Sequence, residues 1–353
     1  MTVFRDDLQD LEPYKLPGQA THNLGDNENR LIDWTFLLEE SLEQLKAGEL
    51  SFYGDNRYAE LIEIYANYLG IQPQQVTAGV GSDFLVHMIV IGALKHDEVF
   101  LTINPDFFMY EVYNQIHGSR FVSYDLPQDK QTFVLKADDL LAYAKSVKAK
   151  MIMFSNPNNP SSVAFDTVQV EKIIAQFDGL VVIDEAYIEF ADSSSFIEKI
   201  NQYDNLIVLR TLSKAFGLAG IRLGFAVAQE QLIVELDKII PPYSLSNVTA
   251  KIGTLALAHR DLVVEKIAEL KAIRTAFIEF LQAIPDCRVL PSQANFVTFS
   301  APWSKELCEF ALTKDWNFKY YSQGVLANHI RMSIGRPEEM DAMKKMIIEV
   351  AGI

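Results

Sequence analysis

Short apolar runs alternate along the first part of the chain with longer stretches in which apolar residues recur at three- and four-residue spacing. Short runs of this kind are typical of buried strands, and the longer stretches are typical of helices. Strands that alternate with helices favour a mostly parallel sheet covered on both faces. The pattern therefore predicts an α/β fold with strands at 99–103, 121–124, 151–154, 180–183, 206–209 and 224–228.

The pattern changes after Pro241 and Pro242. Apolar residues then recur at helical spacing from 247 to 284, which predicts one long helix that links two domains. Beyond it, short alternating runs around 295–299 and 330–334 and a final helix from Glu338 favour a smaller α+β domain. The 353 residues have room for both, so we predict an N-terminal arm (1–30), a large domain (31–245) and a small C-terminal domain (246–353).

Three of the predicted strands are followed at once by residues that carry chemistry. The strand at 151–154 runs into the turn SNPNNP, which contains Asn159; the strand at 180–183 ends at Asp184; and the strand at 206–209 precedes Lys214. Open α/β sheets bind ligands in the crevice outside the carboxyl ends of their strands. We therefore expect Asn159, Asp184 and Lys214 to share one crevice.

Each of these residues has a functional and an ordinary interpretation. Lys214 has a hydroxyl beside it at Ser213, a second cation at Arg222 and nearby glycines, which suits a phosphate next to a Schiff-base lysine. Most lysines, however, are solvated surface residues. Asp184, an aspartate at a strand end, can hold the nitrogen of a pyridine ring such as that of pyridoxal phosphate protonated. The ordinary interpretation is that it caps a helix or forms a salt bridge. The functional interpretation of Asn159 is that its amide donates to a cofactor, and the ordinary one is that it belongs to a rigid turn.

A segment with two glycines, Gly79-Val80-Gly81-Ser82-Asp83, precedes an apolar helical stretch. Backbone amides at a helix start bind phosphate, so the amides of Ser82 and Asp83 are further candidates. The segment lacks the third glycine of the dinucleotide-binding GxGxxG motif, and the sequence contains no P-loop motif. The sequence therefore lacks the motifs that usually accompany binding of nicotinamide and nucleotide cofactors.

Three motifs occur in one order along the chain: the NPNNP turn, the stretch DEAYIEF from Asp184, and RTLSKAFGLAGIRLGF from Arg210. With them the chain resembles the class I/II, fold-type I aminotransferases over nearly its whole length, and among them the histidinol-phosphate aminotransferases. The resemblance implies the pyridoxal-phosphate-dependent transferase fold, which is also called aspartate-aminotransferase-like. Its large domain contains a mostly parallel seven-stranded sheet, and its smaller domain is α+β.

The resemblance also implies roles for individual residues. Lys214, Asp184 and Tyr187 would be the catalytic residues: Lys214 would bond covalently to pyridoxal 5'-phosphate, Asp184 would pair with the ring nitrogen, and Tyr187 would act with Asn159 on the ring's phenolate oxygen. Phe107 would stack on the ring. The cofactor phosphate would be held by Gly81, Ser82, Asp83, Thr211, Ser213 and Arg222, and by Tyr53 of the neighbouring subunit in a homodimer.

The substrate would be bound by Tyr14, Asn159 and Arg331. Residues 330–336 alternate apolar and polar like a half-buried strand, and a guanidinium meets a carboxylate or a phosphate through two parallel hydrogen bonds. By resemblance, Arg331 grips the acidic end of the substrate and Tyr14 of the N-terminal arm closes over it. Arg336 is expected to be solvated.

Two departures from the family pattern bear on the substrate. The histidinol-phosphate enzymes usually carry another arginine shortly before the one matched by Arg331, where this chain has Lys319, Tyr320 and Tyr321 within 317–321. Their NENP turn is NENR here and ends at Arg30. The resemblance implies ping-pong amino transfer from histidinol phosphate to 2-oxoglutarate in histidine biosynthesis. An aromatic amino-acid aminotransferase, a decarboxylase of phosphorylated amino acids and a regulator remain alternatives.

The composition of the chain limits the kinds of binding partner that we expect. The formal net charge of −16 disfavours nucleic acid and anionic membranes. The N-terminus shows no signal-peptide pattern, which predicts a cytoplasmic protein. Cys287, Cys308 and the six histidines lack metal-site spacing, so we expect no metal. The acidic doublets at 138–139 and 338–339 are expected to lie at helix starts and to face water.

Overall fold

The structure is a computed structural model that describes residues 5–8, 11, 20–46, 50–129 and 132–353. Tyr14, a predicted substrate contact, lies outside the described residues. The helices are α1 (Thr35–Gln44), α2 (Ala59–Leu69), α3 (Gly81–Ala93), α4 (Met109–His117), α5 (Ala137–Val147), α6 (Thr167–Gln176), α7 (Glu230–Asp237), α8 (Asn247–Ala258), α9 (Arg260–Gln282), α10 (Ser304–Thr313) and α11 (Pro337–Ala351).

The strands follow in the same numbering. They are β1 (His22–Asn23), β2 (Val76–Val80), β3 (Val99–Asn104), β4 (Arg120–Asp125), β5 (Gln128–Asp129), β6 (Thr132–Phe133), β7 (Ala149–Ser155), β8 (Leu180–Asp184), β9 (Leu206–Thr211), β10 (Leu223–Ala228), β11 (Arg288–Val289), β12 (Phe296–Ser300), β13 (Trp316–Asn317), β14 (Lys319–Tyr321) and β15 (His329–Ser333).

The central sheet has the order β2-β10-β9-β8-β7-β3-β4, seven strands in the described part of the chain. Strand β10 runs antiparallel to both of its neighbours, and the other pairs are parallel. The predicted α/β fold is confirmed, and all six predicted strands are present. Strand β2 was not predicted, because its sequence VTAGV carries threonine and glycine and therefore forms no continuous apolar run.

Both faces of this sheet are buried, which explains why its strands are apolar at successive positions. In β8, Val181 and Ile183 pack into an apolar cluster on one face, while Val182 packs into a second cluster. Side chains of a strand point alternately to opposite faces, so a sheet covered on both faces needs apolar residues without interruption.

A second, antiparallel sheet is formed by β11, β12, β15 and β14 in that order. Arg331 on β15 stands directly across from Thr298 on one side and from Lys319 on the other. The short strands β1 and β13 pair in parallel, which connects residues 22–23 to residues 316–317. This pairing brings the segment after β1 close to the second sheet.

The single helix predicted for 247–284 is wrong. Helix α8 ends at Ala258 and α9 begins at Arg260, with His259 between them at φ −96° and ψ 23°. The His259 ring bonds the Glu40 carboxylate of α1 at 2.9 Å. The two helices pack in different places, α8 on α1 and α2 and α9 on the second sheet, so the chain has to turn between them.

The prediction that the doublet at 338–339 faces water is wrong for Glu339. Its carboxylate is buried, pairs with Arg30 at 3.0 Å and accepts the backbone N–H of Arg336 at 2.8 Å. A glutamate in the first turn that bonds back to the preceding amide caps the helix start, here that of α11. Arg336 is exposed as predicted. Arg30, the departure in the NENR turn, thus has a structural role.

Among the described residues, no helix is long and apolar enough to cross a membrane. The same part of the chain contains no group of three or more His, Cys, Asp or Glu side chains that could hold a metal ion.

Candidate active site

One cleft lies at the carboxyl ends of β7, β8 and β9, between the central sheet and the second sheet, with a volume of about 280 Å³. The expectation that Asn159, Asp184 and Lys214 share a crevice is confirmed. The cleft brings together most of the predicted residues: Ser82, Asp83, Phe107, Asn159, Asp184, Tyr187, Thr211, Ser213, Lys214, Arg222 and Arg331.

The Lys214 amine is partly buried in the wall of this cleft. Its Nζ donates to the backbone carbonyl oxygen of Asp26 at 2.9 Å and lies 5.9 Å from the centre of the Tyr187 ring. Burial, together with the positive charge of Arg331, lowers the pKa of Lys214 to about 8. The amine therefore loses its proton more readily than a surface lysine does, which is what a nucleophilic lysine requires.

The loop after Lys214 is held in place by the segment that follows β1. The side-chain amide of Asn29 donates to the carbonyl oxygen of Ala215 at 2.9 Å, and the indole of Trp34 donates to that of Phe216 at 2.7 Å. Gly217 adopts φ 66°, and a Cβ there would lie 2.4 Å from the carbonyl oxygen of Asn29. This close approach requires glycine.

Asp184 lies at the floor of the cleft and is 5% exposed. Its carboxylate accepts the hydroxyl of Tyr110 at 2.9 Å and the backbone N–H of Ala186 at 3.1 Å. Burial raises the pKa of Asp184 to about 6, and the bond from Tyr110 opposes that rise. A carboxylate in such a place is stabilised when a cation lies against it.

Arg331 and Asn159 meet at the other side of the cleft. Arg331 Nη1 donates to Oδ1 of Asn159, and Nη2 donates to the carbonyl oxygen of Gly25. The backbone N–H of Asn159 is itself fixed on Ser155 Oγ at 2.9 Å. Arg331 Nε is a buried donor with no hydrogen-bond partner among the described residues. A guanidinium has five N–H donors, and the bonds to Asn159 and Gly25 use two of them, so Arg331 keeps capacity for an acidic group.

Tyr187 has a partner that the sequence analysis missed. Its hydroxyl accepts the side-chain amide of Asn27 at 3.0 Å, and the backbone N–H of Asn27 is held by Ser333 Oγ at 2.9 Å. Burial raises the pKa of Tyr187 to about 12, so its hydroxyl stays protonated. Asn27 is the first residue of the NENR turn, and the composition of that turn does not indicate these contacts, which depend on the β1–β13 pairing.

The far end of the cleft is formed by the start of α3 and by the Thr211–Arg222 loop. Helix α3 begins at Gly81, so the amides of Ser82 and Asp83 lie in its first turn, as predicted, where N–H groups have no partner within the helix. A Cβ on Gly224 would lie 2.3 Å from the Ser82 nitrogen, so β10 reaches the helix start only because this residue is glycine. A Cβ on Gly81 would meet Arg222 at 2.7 Å.

Hydrogen bonds hold the Arg222 guanidinium and the Thr211 hydroxyl at this end of the cleft. Arg222 Nη2 donates to the Asp83 carboxylate at 3.0 Å, and the Arg222 side chain is 46% exposed. Thr211 Oγ1 accepts the backbone N–H of Ser213 at 3.1 Å, and both of these residues are buried. A guanidinium, hydroxyls and helix-start amides together suit a phosphate.

The donor set as a whole fits pyridoxal phosphate. The phosphate-binding groups stand at one end, the Asp184 carboxylate at the floor suits a cationic ring nitrogen, and the Lys214 amine suits an aldehyde. Phe107 lines the cleft and meets Tyr110 edge-on, with ring centres 5.6 Å apart. Tyr53 lies outside this cleft; it is 82% exposed, with its ring 4.6 Å from that of Tyr243.

The segment that replaces the second family arginine divides between two faces of β14. Lys319 and Tyr321 line the cleft together with Arg331. Tyr320 points to the other face, where its hydroxyl donates to Asn328 at 3.3 Å. Lys319 therefore brings a positive charge to the cleft, whereas Tyr320 does not line it.

Comparison with known proteins agrees with this site. The family described as aminotransferase class I and II matches residues 21–347. The chain belongs to this family, which confirms the predicted transaminase and its pyridoxal 5'-phosphate cofactor. A histidinol-phosphate aminotransferase from Clostridium novyi (strain NT) is 33% identical over 338 residues, which cover 96% of this chain and 94% of that protein.

Solved structures share the fold. The histidinol-phosphate aminotransferase from Sinorhizobium meliloti, in complex with pyridoxal-5'-phosphate, superposes with a TM-score of 0.89 at 24% identity and covers 100% of this chain and 98% of that chain. The L-threonine-O-3-phosphate decarboxylase from Porphyromonas gingivalis reaches 0.80 at 17% identity, covering 94% of this chain and 100% of that one. The fold alone therefore does not separate the two reactions.

Proposed function

We propose that this aminotransferase transfers the amino group of histidinol phosphate to 2-oxoglutarate by a ping-pong mechanism, as a step of histidine biosynthesis. The observation that carries the proposal is the position of Lys319 directly across from Arg331, with both residues lining the cleft. A phosphate dianion needs more positive charge than a carboxylate does, and two neighbouring cations supply it. Relatives named histidinol-phosphate aminotransferase, at about one third identity over nearly the whole chain, support the same donor.

The proton is moved by Lys214. With its pKa lowered to about 8, the amine is in part neutral at physiological pH and accepts the proton from the Cα of the donor. The hydrogen bond to the Asp26 carbonyl oxygen aims the Nζ atom into the cleft. Pyridoxal phosphate, when bound, supplies the electron sink for the charge left on Cα.

Other side chains orient and polarise the cofactor and the amino donor. Asp184 would hold the ring nitrogen of the cofactor protonated, while Asn159 and Tyr187 would donate to its phenolate oxygen. Arg331 and Lys319 anchor the acidic end of the donor, and Arg331 is itself positioned by Asn159. Gly81, Ser82, Asp83, Thr211, Ser213 and Arg222 form the phosphate end of the cofactor site.

The active unit is proposed to be a cytoplasmic homodimer with Tyr53 reaching the cofactor phosphate of the neighbouring subunit. In support, Leu50 and Phe52, close to Tyr53 in sequence, are apolar side chains exposed at 73% and 75%. Surfaces of this kind mark interfaces. The division into an arm (1–30), a large domain (31–245) and a small domain (246–353) stays a prediction.

An aromatic amino-acid donor is the second candidate, because Tyr321 and Phe108 also line the cleft. Both candidates transfer nitrogen, whereas a decarboxylase releases carbon dioxide and needs no acceptor. Histidinol phosphate has no carboxyl group to lose, so the test needs two assays of the holoenzyme. One supplies histidinol phosphate with 2-oxoglutarate and measures glutamate, and the other supplies L-threonine O-3-phosphate and measures carbon dioxide. Lys214→Ala is the matched control in both.

The proposal expects one glutamate for each histidinol phosphate consumed, no carbon dioxide from L-threonine O-3-phosphate, and no turnover in Lys214→Ala. Carbon dioxide from L-threonine O-3-phosphate, without glutamate from histidinol phosphate, overturns the transaminase. Glutamate formed from phenylalanine or tyrosine but not from histidinol phosphate replaces the donor with an aromatic amino acid.

A further inference from the structure

A fully buried hydroxyl stands directly behind Asp184. Tyr110 on α4 is 0% exposed, and its hydroxyl donates to Asp184 Oδ2 at 2.9 Å. Tyr110 does not belong to the residues that line the cleft. Any effect of this hydroxyl on a bound cofactor must therefore pass through the Asp184 carboxylate.

The hydroxyl is held in place by its ring. Tyr110 packs edge-on against Phe107, at 90° with ring centres 5.6 Å apart, and meets Phe100 at a tilt of 42° with ring centres 6.4 Å apart. Both Tyr110 and Phe100 belong to the apolar cluster that includes Met153 of β7 and Val182 of β8. A ring fixed on all sides delivers its hydroxyl to one point.

The carboxylate is held at both oxygens. Tyr110 occupies Oδ2 from behind, and the backbone N–H of Ala186 occupies Oδ1 at 3.1 Å. A carboxylate accepts about four hydrogen bonds, so acceptor capacity remains on the cleft side. The Tyr110 hydroxyl, the Ala186 amide and Lys214 favour the charged form of Asp184, whereas burial and Asp83 disfavour it.

We propose that Tyr110 is a positioning residue that fixes the Asp184 carboxylate and keeps it weakly basic, so that the proton stays on the cofactor ring nitrogen. A donor on the far oxygen withdraws charge from the carboxylate. Without that donor, Asp184 becomes more basic and draws the proton away from the ring. This inference rests on the proposed pairing of Asp184 with the ring nitrogen and is independent of the amino donor.

The experiment detects directly whether the ring nitrogen of the cofactor is protonated. Wild type, Tyr110→Phe, Asp184→Asn and Tyr65→Phe are loaded with pyridoxal phosphate labelled with ¹⁵N in the ring, and the nitrogen resonance and the cofactor Kd are measured. Tyr65→Phe is the matched control, since Tyr65 is also buried, at 1% exposure, and stacks on Phe225.

We expect Tyr110→Phe to move the resonance from the wild-type position part of the way toward that of Asp184→Asn, with a cofactor Kd raised about tenfold, a change typical of one hydrogen bond to a charged group. Tyr65→Phe should match wild type. A Tyr110→Phe protein with the wild-type resonance and Kd overturns the inference, provided that Asp184→Asn shifts the resonance. If Asp184→Asn leaves the resonance unchanged, the proposed pairing of Asp184 with the ring nitrogen fails as well.

A second variant guards against a folding defect in Tyr110→Phe. Replacing Tyr110 with 3-fluorotyrosine keeps the ring and makes the hydroxyl a stronger donor, so the resonance should move in the opposite direction, toward a more fully protonated ring. A shift in the same direction as that of Tyr110→Phe contradicts the inference, because perturbed packing would shift both variants alike.

Discussion

Lys319 and Arg331 stand opposite each other on the paired antiparallel strands β14 and β15, and both line the cleft. Side chains at directly opposed positions of an antiparallel pair lie on the same face of the sheet. The two cations therefore converge on one end of a substrate. We propose that this arrangement takes the place of the arginine that the histidinol-phosphate enzymes usually carry.

The first prediction concerns Lys319. Lys319→Met should lower kcat/KM for histidinol phosphate by about tenfold or more, because one charge of a charge-assisted pair is lost, and should change kcat/KM for unphosphorylated histidinol little. Tyr320→Phe is the control, since Tyr320 faces away from the cleft. Equal losses for the two donors would show that Lys319 does not read the phosphate.

The second prediction is a pH dependence. Only the neutral Lys214 amine attacks an aldehyde, and its pKa is lowered from 10.5 to about 8. The rate at which apoenzyme takes up pyridoxal phosphate should therefore rise as the pH increases through about 8, measured by stopped-flow absorbance. A midpoint near 10.5 would contradict the burial of this amine.

The same lysine is identified chemically. Borohydride reduction of the holoenzyme should attach the cofactor to Lys214, as located by peptide mass mapping. Lys214→Ala should bind the cofactor without a covalent bond and show no turnover. Attachment to any other lysine would refute the assignment.

The third prediction separates Asp184 from its neighbour Glu185. Asp184→Ala should slow exchange of the donor Cα proton by roughly a thousandfold, as expected for loss of a charge that stabilises the transition state. Glu185 points away into a buried cluster, where its carboxylate accepts from Ser195 and from the backbone of Phe196 and pairs with Arg210 at 3.3 Å.

Glu185→Ala should therefore act mainly on stability. Arg210 keeps its ion pair with Glu189 at 2.6 Å, so no buried charge is left unpaired. The free energy of unfolding in denaturant should therefore fall by about 2–3 kcal/mol, as expected for lost hydrogen bonds to a charged group, while exchange at Cα changes far less. Equal effects of the two variants on Cα exchange would mean that the side chains of β8 point the other way.

The strands that carry Asn159, Asp184 and Lys214 could be predicted because a sheet buried on both faces leaves uninterrupted apolar runs. Strand β2 could not be predicted, because threonine and glycine interrupt its apolar pattern, although its backbone pairs fully with β10. The contacts of Asn27 could not be predicted, since they join parts of the chain distant in sequence. Likewise, helical periodicity continues through His259, and only packing reveals the turn there.

The fourth prediction tests the neighbouring subunit. Tyr53→Phe and Lys214→Ala should each be weakly active or inactive alone. If Tyr53 serves the partner's cofactor, a mixed dimer combines one intact Tyr53 and one intact Lys214 in the same site. Mixing the two variants under conditions that exchange subunits should restore a quarter of wild-type activity, as expected for random pairing in which half of the dimers contain one intact site. No recovery despite proven exchange would place Tyr53 in its own subunit's site or in none.

The most direct test of the account is the ratio of kcat/KM for histidinol phosphate to that for phenylalanine or tyrosine, with 2-oxoglutarate as acceptor. Specificity is differential transition-state binding, and a phosphate held by Arg331 and Lys319 together should favour histidinol phosphate by at least about tenfold, or ~1.4 kcal/mol. A ratio that favours an aromatic amino acid by the same factor would contradict the proposed donor.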